Sequence, residues 1–126
     1  MGEVEKLILV VDDEKIHRMA IRDHLEASGY KVQSAAGGAE TLQILKEVHF
    51  DLIILDLLMP QPDGFEVFRC LRESSVVPRT PVILFTVLGK EPHVKTLIEQ
   101  GAHHLQKLRV FNELIPKVQE LIGPPQ

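Results

Sequence analysis

The chain has 126 residues, of which 44% are hydrophobic and 25% charged; that is enough for one domain with a real core and too little for two ordinary ones. A net charge of −4, with no basic stripe or aromatic-basic interleaving, argues against a nucleic-acid groove within this chain. A single cysteine, Cys70, rules out an intrachain disulfide and fits a reducing compartment. The N-terminus carries Glu3, Glu5 and Lys6 without an apolar core, so it is not a secretory signal. The apolar runs Leu7–Val11 and Leu52–Leu55 are far too short to span a membrane, and a soluble cytoplasmic protein is expected.

Leu7–Val11 has the continuous apolar character of a strand buried on both faces, and it ends in Asp12-Asp13-Glu14. A helix over roughly Ile16–Ala27 follows, stopped by Ser28-Gly29. Tyr30–Ala35 is the next strand, broken by Gly37-Gly38, and Ala39–Glu47 is helical with Ala39, Leu42 and Leu45 on one face. Leu52–Leu55 is the third strand and ends abruptly on Asp56; Pro60 and Asp63-Gly64 then turn the chain. The third helix runs to about Arg72, with Val67, Phe68 and Leu71 as its apolar side. Residues 74–81 form a loop carrying Pro78 and Pro81.

Val82–Thr86 is the fourth strand. A helix over about Glu91–Gln100 accepts Pro92 in its first turn and stops at Gly101. A weak fifth strand, His103–Lys107, precedes a last helix over about Asn112–Ile122, with Asn112 as its expected N-cap. The folded core is thus residues 6–122 of a single domain covering 1–126, and residues 123–126 read as a disordered end or the start of a linker. Five strand–helix repeats predict an α/β fold: a parallel sheet with helices on both faces and right-handed crossovers.

Taken alone, Asp56 is equally a turn aspartate or a functional carboxylate at the edge where open α/β sheets place their ligands. The other strand ends decide between them. In a parallel sheet all C-terminal ends lie along one edge, and here they carry Asp12-Asp13, Asp56, Thr86 and Lys107. Clustered carboxylates repel unless a cation joins them, and all-oxygen ligation suits Mg²⁺. A carboxylate is also a nucleophile toward phosphorus, and phosphoryl transfer needs mainly positioning and charge neutralisation.

These residues resemble the receiver domain of a two-component response regulator. The resemblance rests on Val10-Val-Asp-Asp-Glu14, Asp56-Leu-Leu-Met-Pro60 with Asp63-Gly64, Thr86, Gly101-Ala102 and Lys107, and it covers essentially the whole chain. It implies a flavodoxin-like, doubly wound sheet of five parallel strands in the order 2-1-3-4-5, with five helices. It further implies that Asp56 accepts a phosphoryl group from a sensor histidine kinase or phosphotransfer protein. Asp13, Asp56 and the backbone carbonyl of Leu58 would hold Mg²⁺, with Asp12 acting indirectly. Thr86 and Lys107 would engage the phosphoryl group, and the helix 4–strand 5–helix 5 surface would change for a downstream output domain or protein. Dimerisation on phosphorylation is compatible with this scheme. The chain would not be an enzyme beyond assisting its own phosphorylation and dephosphorylation.

Several positions depart from the family pattern. Leu108 follows Lys107 where receivers usually have proline, and Lys107 arrives one residue early counted from Gly101-Ala102. That places His104 where an aromatic switch residue is common; Val87 also follows Thr86 where a small residue is usual. Leu58 and Leu88 stand two residues after Asp56 and Thr86, and neither can orient an attacking water, so slow loss of the phosphoryl group is expected.

Two rivals are an unphosphorylated receiver-like interaction module and a haloacid-dehalogenase-type phosphohydrolase. The latter needs a second aspartate where Leu58 stands. His17 and His24 are two helical turns apart, too far to share a metal, and Gly89-Lys90 lacks the spacing of a phosphate-binding loop.

Overall fold

A computed structural model describes residues 5–74, 79–86, 92–106 and 110–125. The elements run β1 (Leu7–Val11), α1 (Lys15–Ala27), β2 (Lys31–Ala35), α2 (Gly38–Leu45), β3 (Leu52–Leu55), α3 (Gly64–Glu73), β4 (Val82–Thr86), α4 (Pro92–Glu99), β5 (His103–Gln106) and α5 (Val110–Ile122). Every strand pairing is parallel and the order is β2-β1-β3-β4-β5, the doubly wound arrangement expected.

The sheet separates two cores because successive side chains on a strand point to opposite faces. Leu9, Val11, Ile53, Leu55, Val82 and Leu84 face α2, α3 and α4, where they meet Val67, Phe68, Leu71 and Val94. Ile8, Val10, Leu52, Ile54, Ile83 and Phe85 face the other way, against Ile21 and Leu25 of α1 and Leu114 and Val118 of α5. Both strand parities are therefore buried, which is why the central strands carry unbroken apolar runs. Each such side chain contributes about 1.5–3 kcal/mol on burial.

The entry edge of the sheet is tied by polar bonds. Asp51 donates its N–H to the Leu7 carbonyl at 2.9 Å and accepts the Leu7 N–H on its carboxylate at 2.8 Å, so the start of β3 grips the start of β1. Gly29 and Gly101 end α1 and α4 at φ +99° and +100°, a region that costs a Cβ-bearing residue energy. The Arg72 guanidinium stacks 4.6 Å from the Phe68 ring centroid and donates to the Thr80 carbonyl, which fixes the end of α3 against the approach to β4. Among the described residues no helix is long and apolar enough to cross a membrane.

One expectation needs correction. The last helix begins at Val110, so Asn112 lies in its first turn instead of capping it. Pro116 lies inside this helix and has no N–H to donate to the residue four back; full burial of Leu114 and Val118 against the sheet holds the helix regardless. Beyond α5, Gly123 and Pro125 are hydrogen-bonded to the rest of the domain. The Tyr30 hydroxyl donates to the Gly123 carbonyl at 2.8 Å, and the Lys6 N–H donates to the Pro125 carbonyl at 3.2 Å.

Burial lowers the pKa of His103 below its ordinary 6.5; Lys117 and Arg72 push the same way and Glu120 opposes them. Below that ordinary value the unfolded chain takes up a proton that the folded chain resists, so stability falls as pH drops from 6.5 through the lower folded value. Urea unfolding across this range should show that decline, and His103→Gln should flatten it.

Candidate functional site

The site forms where β1 and β3 end side by side. The Asp56 N–H donates to the Val11 carbonyl at 3.0 Å, which carries the β1–β3 ladder one rung past the strands. The Asp12 N–H likewise donates to the Ala35 carbonyl at 3.2 Å, one rung past β2. Both aspartates then turn the chain in the same way. Asp12 Oδ1 accepts the Glu14 N–H at 2.9 Å, and Asp56 Oδ1 accepts the Leu58 N–H at 3.3 Å. Each is a carboxylate bonded to the backbone two residues on, the local bond that makes aspartate a turn residue. Asp56 is therefore a turn aspartate as well as a carboxylate at a strand end.

Asp12 and Asp56 are buried, whereas Asp13 is exposed. Their carboxylate oxygens, one from each residue, lie within 4.8 Å of one another. Three like charges so close, two of them removed from water, favour a bound cation. The donor set is all oxygen and partly solvated, which suits a hard ion such as Mg²⁺ that keeps several waters. Soft or thiolate-seeking metals find no matching ligand in this trio.

Helix α1 adds two groups that the sequence reading did not place here. The Arg18 guanidinium donates to the Asp12 carbonyl at 2.7 Å. His17 Nδ1 lies 3.3 Å from Glu14 Oε1 and 3.8 Å from Asp12 Oδ2, so Asp12, Glu14 and His17 form a second acidic-imidazole group beside the first. Side chains in the first turns of a helix lean back toward its N-terminus, and that lean was the available signal once the helix start was fixed at Lys15.

The other expected residues are only partly placed. Thr86 ends β4, level with Gln106 of β5 on the same edge of the sheet. Lys107, Leu108, Val87 and Leu88 lie outside the described residues. Leu58 is half-exposed.

The turn after Asp56 is closed by α3. Asp63 caps that helix, accepting the Glu66 N–H at 3.0 Å, and the Gly64 N–H donates to the Leu57 carbonyl at 3.1 Å. A Cβ on Gly64 would run into the Asp56 carbonyl oxygen and the Leu57 Cα. The glycine is thus needed for close approach, a role its pairing with Asp63 as a turn signal did not suggest.

A doubly wound sheet with a partly buried acidic cluster at its strand ends carries that cluster where open α/β sheets form their ligand crevices. The family is identified by comparison. The profile of the response regulator receiver domain matches residues 8–119. The chain belongs to this family and is a receiver domain of the two-component response regulators. It is 44% identical over 97 residues to the transcriptional regulatory protein ResD of Bacillus subtilis, covering 77% of this chain and 39% of ResD. It is 35% identical over 120 residues to the transcriptional regulatory protein SrrA of Staphylococcus aureus, covering 94% of this chain and 48% of SrrA. The chain thus spans less than half the length of these relatives.

Among solved structures, the chemotaxis protein CheY4 of Vibrio cholerae superposes with a TM-score of 0.85 at 31% identity, covering 94% of this chain and 99% of that one. The response regulator TrrA of Thermotoga maritima, in complex with Mg²⁺ and beryllium fluoride, superposes at 0.80 with 32% identity, covering 92% and 98%.

Gly64→Ala should be destabilising although alanine is the better helix former by about 1 kcal/mol. The collision is with backbone, and overpacking of this kind costs about 1–3 kcal/mol. A net loss of up to about 2 kcal/mol is expected from the shift in the urea midpoint.

Proposed function

We propose that this domain is a phospho-accepting switch in which Asp56 is the acceptor. The observation that carries this reading is the buried Asp56 carboxylate within 4.8 Å of those of Asp12 and Asp13 at the end of β3. Its likeness to a receiver seen with Mg²⁺ and beryllium fluoride supports it.

A carboxylate oxygen of Asp56 attacks the phosphorus of a donor phosphohistidine on a sensor kinase or phosphotransfer protein. The P–N bond breaks, the imidazole leaves, and an aspartyl phosphate remains. Asp13, Asp56 and the Leu58 carbonyl would hold Mg²⁺, with Asp12 acting indirectly. When bound, the ion neutralises charge on the phosphoryl oxygens. Asp12 and Glu14 keep the β1–α1 turn in shape through the bond between them. The Thr86 hydroxyl and the Lys107 ammonium engage the phosphoryl group.

Phosphorylation adds about −1.5 to −2 charge and three acceptor oxygens. The loops carrying Thr86 and Lys107 gain a new partner, and the α4–β5–α5 surface shifts for an output domain or target protein. The domain assists its own phosphorylation and dephosphorylation but turns over no other substrate, and it works in the cytoplasm.

Incubation with Mg²⁺ and acetyl phosphate should add one phosphoryl mass to the chain, and Asp56→Asn should abolish the adduct. An absence of both adduct and Mg²⁺ binding would instead make the domain a receiver-like interaction module. The half-exposed, apolar Leu58 cannot orient an attacking water, so the phosphorylated form should be long-lived. A Leu58→Asn variant should lose its phosphoryl group several-fold faster in a hydrolysis time course with Mg²⁺.

A further inference from the structure

We propose that Gly38 is a positioning residue for the loop that follows Asp56: its missing side chain lets α2 seat against Pro62 and so sets where the Leu58 carbonyl stands. This rests on the metal-binding role proposed above for Asp13, Asp56 and that carbonyl.

The start of α2 is anchored from its own side. The Ala36 N–H donates to Glu40 Oε1 at 2.7 Å. The Gly37 carbonyl accepts both the Thr41 N–H at 3.1 Å and the Thr41 hydroxyl at 2.8 Å, and Thr41 is fully buried. Gly38, the first residue of the helix, lies against Pro62, and a Cβ there would collide with the Pro62 carbonyl oxygen and crowd the ring Cγ. The obstacle is largely backbone, so no rotamer change relieves it.

With α2 held, the loop must give. Its two ends are pinned by the Gly64 N–H on the Leu57 carbonyl and by the Asp63 cap, so the short stretch between them takes up the displacement. Displacement at Pro62 is therefore passed to the segment carrying Leu58. Gly37 differs: a Cβ there meets nothing within 4 Å, and its φ of −174° is extended backbone open to any residue. Two adjacent glycines thus have separable roles, and only the second is tied to the site.

Mg²⁺ titrations of the full chain, followed by calorimetry, test this with urea unfolding run in parallel. Gly38→Ala should weaken Mg²⁺ binding by fivefold or more at temperatures where the variant is folded, while Gly37→Ala should stay within twofold of the unchanged chain. A folded Gly38→Ala variant that is less stable but binds Mg²⁺ with unchanged affinity would overturn the proposal, since that is the signature of a purely structural glycine. If Gly38→Ala does not fold, Pro62→Gly provides the second arm. It removes the ring that Gly38 abuts without adding an atom; weakened Mg²⁺ binding supports the proposal and unchanged binding overturns it. If the unchanged chain itself binds no Mg²⁺, the acceptor-site reading fails instead, which keeps the two outcomes distinct.

Discussion

The hydrogen bond from the Asp56 N–H to the Val11 carbonyl is the constraint on which the site depends. It is the last rung of the β1–β3 ladder, and it places Asp56 beside the turn that opens with Asp12. Parallel pairing in this register, with Val11 opposite Leu55, brings to one point carboxylates that are more than 40 residues apart in the chain. A slip of one residue would turn every buried side chain of β3 to the opposite face. The two apolar cores on either side of the sheet therefore hold the acidic cluster in register. Core packing and site geometry are the same constraint seen from two ends of a strand.

That placement concentrates like charge, because two buried carboxylates lie near a third. Asp12 and Asp56 each accept a backbone N–H two residues on, and the Arg18 guanidinium is bonded to the Asp12 carbonyl. Concentrated like charge in a partly dry crevice is a common mark of a functional site.

The loop beyond Asp56 is shaped by what is missing as much as by what is present. Gly64 allows the N-terminus of α3 to close on the Asp56 and Leu57 backbone, and Gly38 allows α2 to close on Pro62. The segment carrying Leu58 is thus pressed from two helices, and Leu57 and Met59 on either side of Leu58 are buried in the core. Leu58 itself faces solvent at 50% exposure, two residues beyond Asp56.

Much of this was legible in the residue order. Unbroken apolar runs at Leu7–Val11 and Leu52–Leu55 announce strands covered on both faces, and strand–helix alternation implies a parallel sheet. Once the sheet is parallel, Asp12, Asp13, Asp56 and Thr86 must share an edge, because strand direction is a property of connectivity. The helix limits were less legible. Asn112 is a good capping residue, yet α5 starts two residues before it, at Val110. The bonds from Tyr30 and Lys6 to Gly123 and Pro125 were not legible either, since only tertiary proximity supplies those donors. The approach of His17 and Arg18 to Asp12, and the different surroundings of Gly37 and Gly38, were likewise decided by the tertiary structure. Periodicity and strand-end chemistry are written along one dimension, so the sequence by itself determined the sheet and its acidic edge. Close approach between separate elements depends on how helices seat on that sheet, and no local pattern encodes it.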